Sequence, residues 1–123
     1  MGNRATVIKL ICFLKRKPGL SEDEFHTHWR EVHGPLVKST KSGQYAVAYE
    51  QNHRTDGPLA QMGAADFDGV TVQWYRSVDD FIASTREADY AAIADDMTNF
   101  LDTDKLTWIL TEEAEVVWDN RSS

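Results

Sequence analysis

The chain has 123 residues and a formal charge of −7, with 20 Asp and Glu against 13 Lys and Arg and a pI near 4.9. That balance argues against nucleic acid or an anionic membrane as partner, and no Lys/Arg cluster interleaved with aromatics offsets it. A single cysteine excludes an internal disulfide and a Cys-rich zinc site, no apolar run approaches the ~20 residues of a membrane span, and the start MGNRATV lacks a signal peptide's apolar segment, so one cytoplasmic domain over 1–123 is expected.

Residues 5–14, ATVIKLICFL, are an almost continuous apolar run rich in β-branched side chains, which predicts a strand in the middle of a sheet with Cys12 as a buried thiol. KRKPG turns the chain through Pro18 and Gly19. Leu20 to Val37, LSEDEFHTHWREVHGPLV, predicts an amphipathic helix. Ser21 is its N-cap, Glu24 completes a capping box, and Glu22 and Asp23 place negative charge at the positive end of the helix dipole. At about 100° per residue, Phe25, Trp29, Val32 and Leu36 form an apolar stripe, with Asp23, Glu24, Thr27 and Glu31 on the far side. His28 and His33 flank that stripe on opposite sides, and geometry alone does not choose between them. Pro35 has no N–H for the Glu31 carbonyl, so the helix is expected to kink or end near His33 and free backbone groups beside its ring.

After the polar loop KSTKSG, QYAVAYEQNH alternates, with Tyr45, Val47 and Tyr49 on one face and Ala46, Ala48 and Glu50 on the other, a second strand. RTDGPLAQMGAAD, 54–66, has no period and reads as a long loop of the kind that shapes a site. FDGVTVQWY alternates again as a third strand. Its Val70, Val72 and Trp74 face is expected against helices, and Gln73 and Tyr75 toward a partner subunit. Ser77 with Asp80 caps a helix running to about Glu87, and ADYAAIADDMTNFL continues the period after a break near 87–89, its acidic residues facing water. LTWILTEEAEVVW predicts a fourth strand with an irregular middle at Glu112 and Glu113. The order is βαββαβ, a ferredoxin-like α+β fold in which a four-stranded antiparallel sheet carries helices on one face. The uncovered face is apolar, which calls for a homodimer.

These residues resemble a known family. F-x-x-H-W-R-E-V-H-G-P-L-V at Phe25 to Val37 is similar to the signature helix of the EthD family of small ferredoxin-like, dimeric α+β barrel proteins. D-G-V-x-x-x-W-Y at Asp68 to Tyr75, D-D-x-x-x-F-L-D at Asp95 to Asp102 and T-E-E at Thr111 to Glu113 follow in the family's order, so the resemblance spans Val7 to Val117. The loop 54–66, rich in Ala and Gly, and the extra histidines His26 and His53 depart from it. Founding members of the family accompany ether degradation. Relatives on the fold act without metal or organic cofactor as dehydratases, decarboxylases, lactone isomerases or oxygenases of small aromatic compounds.

With that resemblance, His33, which matches the signature histidine, is the expected proton shuttle; the competing reading is a helix-end group bonding the last carbonyls. Tyr45 and Tyr49 are expected to hold a substrate oxygen, unless they only pack the strand. Trp29 is an aromatic wall for a planar substrate or simply core. His28, Trp74 and His53 complete the candidate substrate-binding set, with His53 at the pocket mouth and His28 alternatively packing at a core edge. His26, Arg30 and His33 share a stripe, but Arg30 repels a cation and no carboxylate joins them, so no metal and no cofactor is expected. The expected activity is a cofactor-independent lyase or isomerase acting on a small aromatic or lactone-like metabolite. The alternatives are a cofactor-free anthrone-type monooxygenase and a non-enzymatic accessory or ligand-binding protein.

Overall fold

Strands β1 (Ile8–Leu14) and β3 (Gly69–Tyr75) occupy the middle of the sheet in the computed structural model, which describes residues 7–63 and 66–121. β2 (Ala46–His53) and β4 (Thr107–Glu112) form the edges, in the order β2-β3-β1-β4 with every pair antiparallel. The ferredoxin-like arrangement expected from the element order is therefore present, and residues 5 and 6 of the first apolar run lie outside the described residues. Leu14, Phe25, Trp29, Phe100 and Leu101 form one buried cluster and Ile8, Leu10 and Tyr75 another, so the core lies between the sheet and the helices. Phe25 and Phe100 are fully buried, each stabilising the fold by roughly 1.5–3 kcal/mol relative to exposure.

The capping box at Ser21 is formed, with Glu24 N donating to Ser21 Oγ at 3.1 Å and Ser21 N donating to Glu24 Oε1 at 2.9 Å. The helix it opens does not end at Pro35. It runs as α1 (Glu22–His28), a π-helical turn (Trp29–His33) and α2 (Gly34–Ser39). Gly34 N–H reaches back to the Trp29 carbonyl, which also accepts from Gln51 Nε2 at 2.8 Å. This wide turn absorbs the proline's missing donor and ring bulk without breaking the helix. It also inserts one extra residue, which advances the buried face by one position. Burial passes through Phe25, Trp29, His33 and Val37, while Val32, expected inside, is 48% exposed. His33 thus lies within the buried stripe and not on its flank.

A second insertion changes β2. Ala46 pairs with Tyr75 and Ala48 with Trp74, so Val47 is the extra residue of a β-bulge. Beyond it, Tyr49, Gln51 and His53 face the helices. Tyr45 lies before the strand, at the C-terminus of α3 (Lys41–Gln44), and the shared face expected for Tyr45 and Tyr49 does not exist. In β3 the expected orientation is reversed. Gly69, Thr71, Gln73 and Tyr75 stand opposite Leu14, Cys12, Leu10 and Ile8 on the helix side, and Val70, Val72 and Trp74 face the open side. A polar residue inside normally marks an error of register, but here the inward face lines a cavity.

The loop after β2 contains α4 (Pro58–Gly63), and residues 64 and 65 lie outside the described residues. Asp68, 1% exposed, anchors the start of β3 to the end of β1, accepting from Arg16 N at 2.9 Å and Arg16 Nη1 at 2.7 Å. α5 (Val78–Arg86) and α6 (Tyr90–Phe100) are separated by a short break where the sequence places one, and a 3₁₀ turn (Thr103–Lys105) leads into β4. From residue 113 to 121 the chain is irregular and carries Val116, Val117 and Trp118 exposed.

Candidate active site

The inward face of the sheet and the helices line a partly open cavity of about 320 Å³, walled by Leu10, Leu14, Ile93, Met97 and Phe100 among other side chains. His33 reaches this wall because the π turn rotates it inward, and only 7% of it is exposed. Its Nδ1 donates to Asp96 Oδ2 at 2.8 Å. Asp96 comes from α6 and is itself buried, accepting also from His28 Nε2 at 2.9 Å and from Asn99 Nδ2 at 3.0 Å. The Phe100 ring, one turn further along α6, packs against both imidazoles, with centroids 4.9 Å from His28 and 4.8 Å from His33.

Burial alone would push the Asp96 carboxyl up, but the bonds from Asn99, His33 and His28 outweigh it and hold it below the usual carboxylate range. It is ionised at neutral pH and can only accept, so the proton of neutral His33 sits on Nδ1 and Nε2 keeps a free lone pair. Burial pushes His33 below its ordinary 6.5, and the Asp96 bond and charge pull the other way without cancelling it. The ring is therefore neutral near pH 7 and competent as a base.

Trp29 Nε1, Tyr49 Oη and Thr71 Oγ1, on residues that line the same cavity, are buried and make no well-aligned hydrogen bond among the described residues; looser approaches join Tyr49 to Trp29 and Gln51, and Thr71 to Cys12. Trp29 is seated on Gly69, where an added Cβ would stand 2.5 Å from Cζ3 of the indole; only glycine allows that approach. Burial pushes the Tyr49 phenol up, and hydrogen bonding with the Gln51 and Trp29 side chains draws it down less, so it stays protonated. Cys12 also lines the cavity, its thiol pushed up by burial and drawn down less by Thr71.

Other candidate residues lie elsewhere. His28 does not line the cavity but supplies the second imidazole bond to Asp96. Tyr45 Oη donates to Glu87 Oε2 at 2.7 Å beside α5, away from the cavity. Trp74, expected in the wall, is on the open face of the sheet because β3 is reversed. His53 backs Trp29, with ring centroids 4.1 Å apart, its Nδ1 2.6 Å from Nδ1 of His26 and its Nε2 2.8 Å from Gln51 Oε1. Burial, with Arg30 and His26 adding to it, pushes His53 down to about 4. Among the described residues no three His, Cys, Asp or Glu side chains gather as a metal site.

Asp96 is the residue that sequence reasoning missed. It was expected to face water with its acidic neighbours, yet its spacing from Ile93 and Phe100 puts it on their buried stripe, a signal that was present in the pattern. Thr71 and Gln73 were missed because their strand face was expected to turn away from the helices, with Gln73 toward a partner subunit.

A ferredoxin-like α+β domain with a buried His–Asp pair at the wall of an apolar cavity is the class of protein defined here. The family model described as the EthD domain matches residues 17–104, and the chain belongs to the EthD family. Among characterised proteins it is similar to the dehydratase aurZ of Gibberella zeae, 25% identical over 130 residues that cover 98% of this chain and 86% of the relative. Among solved structures it is similar to an EthD family protein of Bacillus halodurans, with a TM-score of 0.67 at 20% identity, covering 88% of this chain and 99% of that one. A hydroxynitrile lyase from Passiflora edulis shares the fold at a TM-score of 0.66 and 16% identity, over 91% of this chain and 97% of that one.

Proposed function

We propose that this protein is a cofactor-independent lyase of the dehydratase type, acting on a small aromatic or hydrophobic metabolite. His33 is the proton-transferring base, Asp96 the residue that positions it, and Tyr49 a donor to a substrate oxygen. The observation that carries this reading is the neutral, buried His33 on the cavity wall, with Nδ1 engaged by an ionised carboxylate and Nε2 outside that bond. The largely apolar lining lowers the local dielectric and strengthens the hydrogen bonds made inside it. Likeness to a dehydratase along nearly the whole chain supports elimination of water as the reaction. EDTA-treated protein incubated with a panel of small hydroxylated aromatic ketones and lactones should convert at least one to a product lighter by one water. A requirement for added metal or cofactor, or no turnover alongside tight capture of a protein partner, contradicts the reading.

The working unit is a homodimer. Ile11, Phe13, Val72 and Trp74 share the open sheet face, Ile109 on β4 is 52% exposed beside them, and a second copy laid on this face removes that apolar area from water. No described helix is long and apolar enough to cross a membrane. Light scattering at micromolar concentration should give twice the mass of the 14.0 kDa chain, and Trp74→Asp should shift it toward the single-chain value. A wild type that scatters as a monomer contradicts the pairing.

A further inference from the structure

We propose that Gln51 is a positioning residue for His33: its side-chain amide, oriented by His53 and His26, holds the carbonyl of Trp29 and with it the π turn that carries His33 to the cavity wall. This role rests on the reading of His33 as the base and adds what keeps that ring in place. The Trp29 carbonyl accepts twice, from Gly34 N–H along the helix and from Gln51 Nε2 at 2.8 Å across from β2. In a regular helix a carbonyl accepts from the N–H four residues on, and a side chain inserted into that ladder opens it. Gly34 makes the room. A Cβ added there would stand 2.9 Å from Gln51 Nε2, so alanine would push the amide off the carbonyl. Pro35 makes a regular turn costly, yet a kink or a break would relieve it as well as a π turn does. The bond from β2 selects the π turn.

The direction of each bond in this chain follows from its last member. A carbonyl only accepts, so Gln51 turns Nε2 to Trp29 and Oε1 to His53 Nε2, 2.8 Å away, which must donate. The other nitrogen of a neutral His53 is then an acceptor, and His26 Nδ1, 2.6 Å from His53 Nδ1, supplies the proton between them. Burial, Arg30 and His26 hold His53 down at about 4, which keeps it neutral near pH 7. Without that donor the amide is free to turn its oxygen toward the Trp29 carbonyl, where two acceptors would meet. Gln51, His53 and His26 are not among the residues lining the cavity, so they reach the reaction only through the turn.

Nitrogen NMR of the His33 ring, assigned by the signals lost in His33→Gln, tests this without a substrate. The charged or titratable groups facing the ring are Asp96 on α6 and His28 on α1. In the wild type the proton should sit on Nδ1 and the ring should titrate below 6.5. Gln51→Met keeps the length of the side chain and loses both amide bonds. With the turn released, His33 should withdraw from the wall and from Asp96, and its proton should be shared between the two nitrogens. Burial is the larger influence on this ring, so its midpoint should rise toward 6.5. His53→Phe keeps a ring against Trp29 but not the donor, and should shift His33 the same way to a smaller extent. Thermal melting checks that each variant is folded; if Gln51→Met is not, Gly34→Ala, which displaces the same amide, is read in its place. Turnover should fall roughly 10- to 100-fold in kcat with KM within about twofold, as for a misplaced reacting group. A shifted His33 with kcat unchanged would count against His33 as the base and leave its positioning by Gln51 standing. An unchanged tautomer and midpoint in the folded Gln51 or Gly34 variant overturns the proposal, however far the melting temperature falls. The same result in His53→Phe alone overturns the part assigned to His53 and His26.

Discussion

His33→Ala should lose about 10²- to 10⁴-fold in turnover, the range for removal of a general acid or base, while the protein remains folded. Survival of the fold follows from the geometry around Asp96. Without His33 the carboxylate keeps His28 Nε2 at 2.9 Å and Asn99 Nδ2 at 3.0 Å, so it is not left unpaired. What is lost is one buried bond and the packing of the ring on Phe100, roughly 1–3 kcal/mol in total. His33→Gln separates the two roles more sharply. A glutamine amide can donate to Asp96 but cannot take up a proton, so stability should recover part of the loss and turnover should recover none. Thermal melting beside steady-state rates reads both. A glutamine variant that regains activity would make His33 a hydrogen-bonding group only.

The second large effect is expected at Asp96. Asp96→Asn is nearly isosteric, but it removes the charge that fixes the proton on Nδ1 and steadies the imidazolium formed during the reaction. Where a carboxylate fixes the tautomer of an acid–base imidazole, converting it to the amide costs up to about 10⁴-fold in turnover. Asp96→Ala is the worse test, since it strips the acceptor from His33, His28 and Asn99, at about 1–3 kcal/mol for each buried donor left unpaired, and confuses folding with catalysis. The pH dependence adds a readout that a purely structural role would not move. Asp96 raises the His33 pKa against burial, so without the carboxylate burial acts unopposed and the pKa falls further. In Asp96→Asn the acid limb of activity should move to lower pH while the plateau drops. An unchanged limb would mean that Asp96 does not act through His33.

Much of the fold was legible because local signals agreed with one another. Ser21 with Glu24, Ser77 with Asp80 and the alternation in β3 each placed an element where it is found, and their order gave the topology. The site was harder to read because its geometry depends on two inserted residues. WREVH satisfies an α-helical period as well as a π turn, and nothing local shows that Gln51, 22 positions away, would bond the Trp29 carbonyl. That turn moves His33 from the flank of the stripe to its centre. The bulge at Val47 likewise sends Tyr49 inward and leaves Tyr45 outside. Binary patterning failed at β3 because Thr71 and Gln73 line the cavity on the helix side, which inverts the usual alternation and sends Trp74 to the open face. The signature helix pointed to the histidine that lines the cavity, and the acidic motif at Asp95 to Asp102 contained its hydrogen-bond partner without marking which carboxylate it was.

The central claim is that His33 moves the proton, and the most direct measurement is kcat/KM against pH for the wild type and for His33→Ala. Burial lowers this imidazole, so the wild type should lose activity on acidification along a one-proton limb whose midpoint lies below 6.5, as the base becomes protonated. In His33→Ala the residual rate should be flat through that window. If the same limb persists in the variant, the titrating group is another residue and the assignment of His33 is wrong.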